Sequence, residues 1–93
     1  MEAQIDFRNI ECPALRQRVK NVVDELVQFC PSDASVRARF DFIQDKFAAE
    51  IKVASQTAYM CAVDQAVALT DVLEHVKTKM MGQIVDWRIH RFA

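Results

Sequence analysis

Between Pro31 and Gly82 the chain runs for about fifty residues with neither a glycine nor a proline. These two residues are the strongest local punctuation a sequence has. The whole chain of 93 residues holds one glycine and two prolines. Few turns and long elements are therefore expected. As one straight helix, fifty residues would span about 75 Å. A compact domain of this size has a radius of gyration near 12 Å. The stretch must turn, or the protein must be an elongated dimer. The best turn candidate lies between Ala54 and Thr57, where Ser55, Gln56 and Thr57 are consecutive polar residues and Ser55 or Thr57 can cap a following helix.

Periodicity assigns the elements. Residues 1–11 form an extended arm in which Ile5 and Phe7 alternate with Asp6 and Arg8. Pro13 suits a first helical position. Leu15, Val19, Val22, Val23, Leu26, Val27 and Cys30 then follow a three-four spacing, ended by Pro31. Ser32 or Asp33 caps a second helix with the stripe Val36, Phe40, Ile43, Phe47, Ile51 and Ala54. A third helix takes the most apolar run, Ala54 to Leu73, and continues past Met81. Its small residues Ala54, Ala58, Ala62 and Ala66 form a ridge suited to close helix packing. Tyr59, Met60, Val63 and Val67 form a second apolar face. Residues 84–92 read as a continuation of this helix, with a strand pairing onto the N-terminal arm as the alternative.

The expected fold is therefore all-α: one antiparallel three-helix bundle over residues 1–93, with helices at about 12–30, 33–53 and 55–90 and a short terminal β-ribbon as the alternative. A helix apolar all round is normally buried all round, and two other helices cover only one of its faces. Leaving the other wet strands about 1.5–3 kcal/mol for each large apolar side chain. A homodimer on the second face of the third helix follows as an expectation. The interface candidates are Phe42, Tyr59, Met60, Val63, Val67, Met81, Val85, Trp87 and Phe92, because aromatic residues and methionine are enriched where proteins meet.

Composition narrows the function classes. The apolar fraction of 52% leaves apolar surface to spare. The net charge is −1 with the signs interspersed, so nucleic acid is not an expected partner. Arg37, Arg39, Lys46 and Lys52 share the second helix with Asp33, Asp41, Asp45 and Glu50, which offset them. No uncharged apolar stretch reaches membrane-spanning length, and the acidic start is not a secretory signal. A cytoplasmic location with free thiols fits the odd set Cys12, Cys30 and Cys61.

Candidate chemistry is sparse. Asp71 with His75 and Asp86 with His90 stand four residues apart, and Asp64 joins the first pair on one helical strip. A zinc site needs three or four converging ligands, so no metal or other cofactor is expected. Cys12 stands at a helix start, which favours a reactive thiol, whereas Cys61 and Cys30 read as packing residues. There is no glycine-rich phosphate cradle.

Leu15-Arg16 with Val22-Val23-Asp24-Glu25-Leu26 resembles the start of the helical chorismate mutases. The likeness covers the first helix only. It implies a three-helix dimer that binds a dianionic substrate among inward-facing basic side chains. Arg16, Arg18, Arg37 and Arg39 instead fall on polar faces, so the activity is not carried over. In size and composition the chain resembles small bacterial anti-activators and secretion chaperones. The expectation is a non-catalytic module that binds itself and another protein through an apolar helical surface, with a small helical enzyme or a nucleic-acid-binding regulator as alternatives.

Overall fold

The computed structural model describes residues 2–91 and places strands where the second helix was expected. The elements are β1 (Glu2–Arg8), α1 (Pro13–Val27), β2 (Ser35–Ile43), β3 (Lys46–Ala54), β4 (Tyr59–Ala66) and α2 (Leu69–Arg91). The strands form one mixed sheet in the order β1-β2-β3-β4. β1 runs parallel to β2, with Ile5 beside Ala38 and Phe7 beside Phe40. β2, β3 and β4 are joined by antiparallel hairpins. The parallel pair requires a crossover, and α1 supplies it. The fold is thus α/β, a four-stranded sheet with two helices. The all-α bundle, the long second helix and the terminal ribbon are all overturned. So is the three-helix architecture that the chorismate mutase resemblance implied.

The physical reason lies in a shared periodicity. Residues four apart lie on one face of a helix and also on one face of a strand. Val36 and Phe40, Phe47 and Ile51, and Ala58, Ala62 and Ala66 satisfy both readings. The deciding residues are the intervening ones. Ala38 is buried between Val36 and Phe40, whereas Arg37 and Arg39 are exposed. Ala49, Ile51 and Val53 are buried in β3, while Lys52 is exposed. That is the period of two of a half-buried strand.

The turns use no glycine. Gln44 and Asp45 both take positive φ, 53° and 61°, as a two-residue hairpin turn requires. Asn9 takes φ 59° at the exit of β1, and its amide donates to the Phe42 carbonyl at 3.3 Å. The turn between β3 and β4 falls at Ser55–Ala58. There Ser55 Oγ accepts the backbone N–H groups of Thr57 and Ala58 at 3.2 and 3.0 Å. Asp33 Oδ2 accepts the N–H of Gln56 at 3.0 Å.

The core lies between one face of the sheet and both helices. Phe40, Leu26, Ile51, Met80 and Ile84 are its largest fully buried side chains, each worth about 1.5–3 kcal/mol of transfer free energy. α1 contributes Val19, Val23 and Leu26, and α2 contributes Leu69, Val72, Leu73, Val76, Met80 and Ile84. α2 starts at Leu69, so the third helix is real only in its second half, and residues 84–91 belong to it. Gly82 sits inside α2 rather than at its end. Arg16 joins α1 to β1, donating from Nε to the Ile10 carbonyl at 2.7 Å and lying 5.0 Å over the Phe7 ring. Among the described residues no helix is long and apolar enough to cross a membrane.

Candidate functional site

Both helices pack on one side of the sheet, so its other side faces solvent. Strand alternation assigns that open face. It carries Gln4, Asp6 and Arg8 from β1, and Ser35, Arg37, Arg39, Asp41 and Ile43 from β2. β3 adds Lys46, Ala48, Glu50, Lys52 and Ala54, and β4 adds Tyr59, Cys61, Val63 and Gln65.

The strand register arranges these residues in rows. Arg39 stands between Asp6 and Glu50, so one cation has an acid on either side. The next row reads Gln4, Arg37, Lys52, Cys61. Here two cations are direct cross-strand neighbours and no acid shares their row. Like charges directly opposite destabilise a sheet. Lys52 reaches along its own strand to Glu50 at 3.5 Å, whereas Arg37 forms no ion pair among the described residues. Two shallow depressions meet at Arg37. One is lined by Asp6, Ala38, Arg39, Glu50 and Lys52, the other by Ala3, Gln4, Ser35 and Val36. Asp41 Oδ1 is covered and has no hydrogen-bond partner among the described residues.

The nine candidate interface residues do not form one patch. Met60 is only 3% exposed and belongs to the core. Tyr59 and Val63 point the opposite way, onto the open face, and Tyr59 is 66% exposed. Phe42 lies on the inner face, half-buried, with its ring 4.8 Å from that of Phe47. Val67 is exposed in the link between β4 and α2. Met81 and Val85 lie four apart on α2, continued by exposed Ile89. Trp87 is half-buried against the core, and neighbouring Arg88 lies 5.6 Å over the Phe29 ring. Phe92 lies outside the described residues. A single second face of one helix, on which the dimer expectation rested, does not exist.

The helix side offers a rival concavity between α1 and α2, lined by Arg18, Asn21, Val22, Thr70, Leu73, Glu74 and Lys77. The protein's own side chains span it. Lys77 pairs with Glu25 at 2.9 Å, and Arg18 donates to Thr70 at 3.2 Å.

The titratable candidates disperse. Asp64 on β4 meets His75 at 3.1 Å and Lys79 at 3.3 Å, both on α2. Its carboxyl is held below the usual range, first by the backbone N–H of Gln65 and then by Lys79 and His75. Asp71 is not in that cluster, and His90 Nδ1 instead meets the Asp86 carbonyl at 2.8 Å. Among the described residues no group of three His, Cys, Asp or Glu can hold a metal ion. Cys12 is exposed, while Cys30 is partly buried, which pushes its thiol up.

No family model matches the sequence, and no curated protein is similar to it in sequence. Solved structures do match in shape. The chain is similar to a ribosomal subunit interface protein from Coxiella burnetii, with a TM-score of 0.75 at 15% identity, over 96% of this chain and 99% of that one. The two share a fold. A second likeness is to the N-terminal domain of Protein Y from Thermus thermophilus, with a TM-score of 0.73 at 17% identity, over 90% of this chain and 96% of that one. At these identities the likeness establishes the fold, end to end.

The residues that sequence reasoning passed over are Arg37, Arg39 and Lys52 as members of one flat face. The signal was present in Val-Arg-Ala-Arg-Phe-Asp-Phe over 36–42, a strict alternation of apolar and charged side chains. As strands, these segments also remove Asp33 and Asp45 from the company of those cations, since both lie in connecting segments.

Proposed function

We infer that the chain is a non-catalytic binding module that docks on a ribosomal subunit through the open face of its sheet. The observation that carries this reading is the fold likeness, over almost its whole length, to a ribosomal subunit interface protein. The open face supports it: among the described residues no element of the fold packs on it, and its five cations Arg8, Arg37, Arg39, Lys46 and Lys52 outnumber its acids Asp6, Asp41 and Glu50. A cytoplasmic location agrees with such a partner. The anti-activator reading required a broad apolar helical surface. Among the described residues only the narrow ridge of Met81, Val85 and Ile89 on α2 offers one, and half-buried Met81 reduces it further.

Co-sedimentation tests the reading. Purified protein is layered with bacterial ribosomes or their separated subunits on sucrose gradients at low and moderate salt. Migration with one subunit, weakening as salt rises, is the expected result. Protein that remains at the top of the gradient with every ribosomal species would overturn it.

A further inference from the structure

We propose that the open face is a platform for single-stranded RNA, with Arg37 and Lys52 seating backbone phosphates and Tyr59 stacking on a base. The proposal rests on the ribosomal reading above and assigns the chemistry of its docking face. Three observations carry it. First, Arg37 and Lys52 are paired directly across β2 and β3 on an exposed surface. Opposed like charges cost stability in the free protein, and an anion between them reverses the sign of that interaction. Second, Arg37 is exposed and lines two shallow depressions, one of which gathers Arg39 and Lys52 with it beside Asp6 and Glu50, and guanidinium binds phosphate through paired donors. Third, Tyr59 stands on the same face, two residues along β4 from Cys61, which is the partner of Lys52. That diagonal position is about 7–8 Å from Lys52 by ordinary sheet geometry. Tyr59 as a whole is 66% exposed and so presents aromatic surface to solvent. Cations that track a backbone beside an exposed aromatic ring are the elements by which single strands are held without sequence preference. An acidic protein partner would use the cations and leave the ring without a role.

The test uses the full chain and a fluorescein-labelled oligouridylate about twelve nucleotides long, within the site sizes of single-strand binders. Fluorescence anisotropy is read between about 50 and 200 mM salt. The double variant Arg37→Gln/Lys52→Gln should bind roughly tenfold more weakly, and its slope of log affinity against log salt should be shallower by about 1.4. It should melt at the same or a higher temperature than wild type, because the like-charge contact is gone. The Tyr59→Ala variant keeps every charge. It should lose about tenfold in affinity with the salt slope unchanged.

Wild-type affinity in both variants would overturn the platform, as would a wild-type protein that ignores the RNA or prefers polyglutamate to it. Ribosome co-sedimentation separates the two readings. Variants that sediment with the subunit as well as wild type would sink the platform and leave the ribosomal reading standing. Wild-type protein that binds the oligonucleotide but no subunit would sink the ribosomal reading alone.

Discussion

Gln83 on α2 holds the backbone of Cys61 on β4 at both of its polar groups. The Gln83 carbonyl oxygen accepts the Cys61 N–H at 3.0 Å, and its amide nitrogen donates to the Cys61 carbonyl at 2.6 Å. Lys79, one turn earlier, donates to the Val63 carbonyl at 2.9 Å. β4 is an outer strand of the sheet, and an unpaired strand edge invites association with other chains. One side-chain amide here takes the place of a fifth strand. Gln83→Ala should destabilise the fold by about 1–2 kcal/mol, the net worth of two hydrogen bonds. The melting temperature should fall by about 4–16 °C for a domain of this size. Amide hydrogen exchange at Cys61 should accelerate, and unchanged exchange there would show that the contact does not hold the edge.

Gly82 should be improvable. It lies in the middle of α2, and a Cβ added there meets nothing within 4 Å. Glycine costs an exposed helix interior up to about 1 kcal/mol relative to alanine. Gly82→Ala should therefore raise the melting temperature by about 4–8 °C, as read by circular dichroism. A drop would mean that the site meets a neighbour in solution.

Asp64 should give the protein an acid-sensitive link between β4 and α2. Its folded-state pKa is depressed from 3.8 by the Gln65 N–H, Lys79 and His75. A depressed carboxylate contributes stability that is present above its unfolded pKa and lost as pH falls through the folded one. Wild type should lose stability as pH drops from about 5 towards 3, and Asp64→Asn should show a flatter acid limb. Chemical denaturation at a series of pH values reads the difference, and identical limbs would count against the link.

Two residues of the apolar run should respond in opposite ways. Met60 is in the core, whereas Val67 is 71% exposed. Met60→Glu buries an unpaired charge, a cost that single domains rarely survive. Val67→Glu should leave the circular dichroism spectrum and melting temperature close to wild type, within the range of about ±0.5 kcal/mol typical of surface sites. Unfolding of the Val67 variant would contradict its exposed place in the link between β4 and α2.

What was legible in the sequence follows from which signals were unambiguous. The first helix stood out because adjacent Val22 and Val23 and the pair Leu26 and Val27 fit a period near 3.6 and no strand. The second half of α2 was legible for the same reason, in Leu69, Val72, Leu73 and Val76. The sheet was hidden because Val36 and Phe40, and Phe47 and Ile51, stand four apart, a spacing common to both periods, and because three of its buried inward positions are the small residues Ala38, Ala49 and Ala62. Its hairpin was hidden because Gln44 and Asp45 adopt the left-handed conformation that glycine or asparagine would have advertised. The Ser55–Thr57 turn was visible, but it joins strands rather than helices. The candidate site suffered in turn: on a helix, Arg37, Arg39 and Lys52 are diluted by Asp33, Asp41, Asp45 and Glu50, whereas on strands they share one face from which Asp33 and Asp45 are gone and on which Asp41 and Glu50 remain.

Hydroxyl-radical footprinting of the protein, free and saturated with purified ribosomal subunits, tests the docking face most directly. Tyr59 on the sheet and Met81 on α2 serve as the two reporters. If the open face docks, oxidation of Tyr59 should fall on binding while that of Met81 is unchanged. Protection of Met81 with Tyr59 still fully reactive would contradict it and move the interface to the helical side.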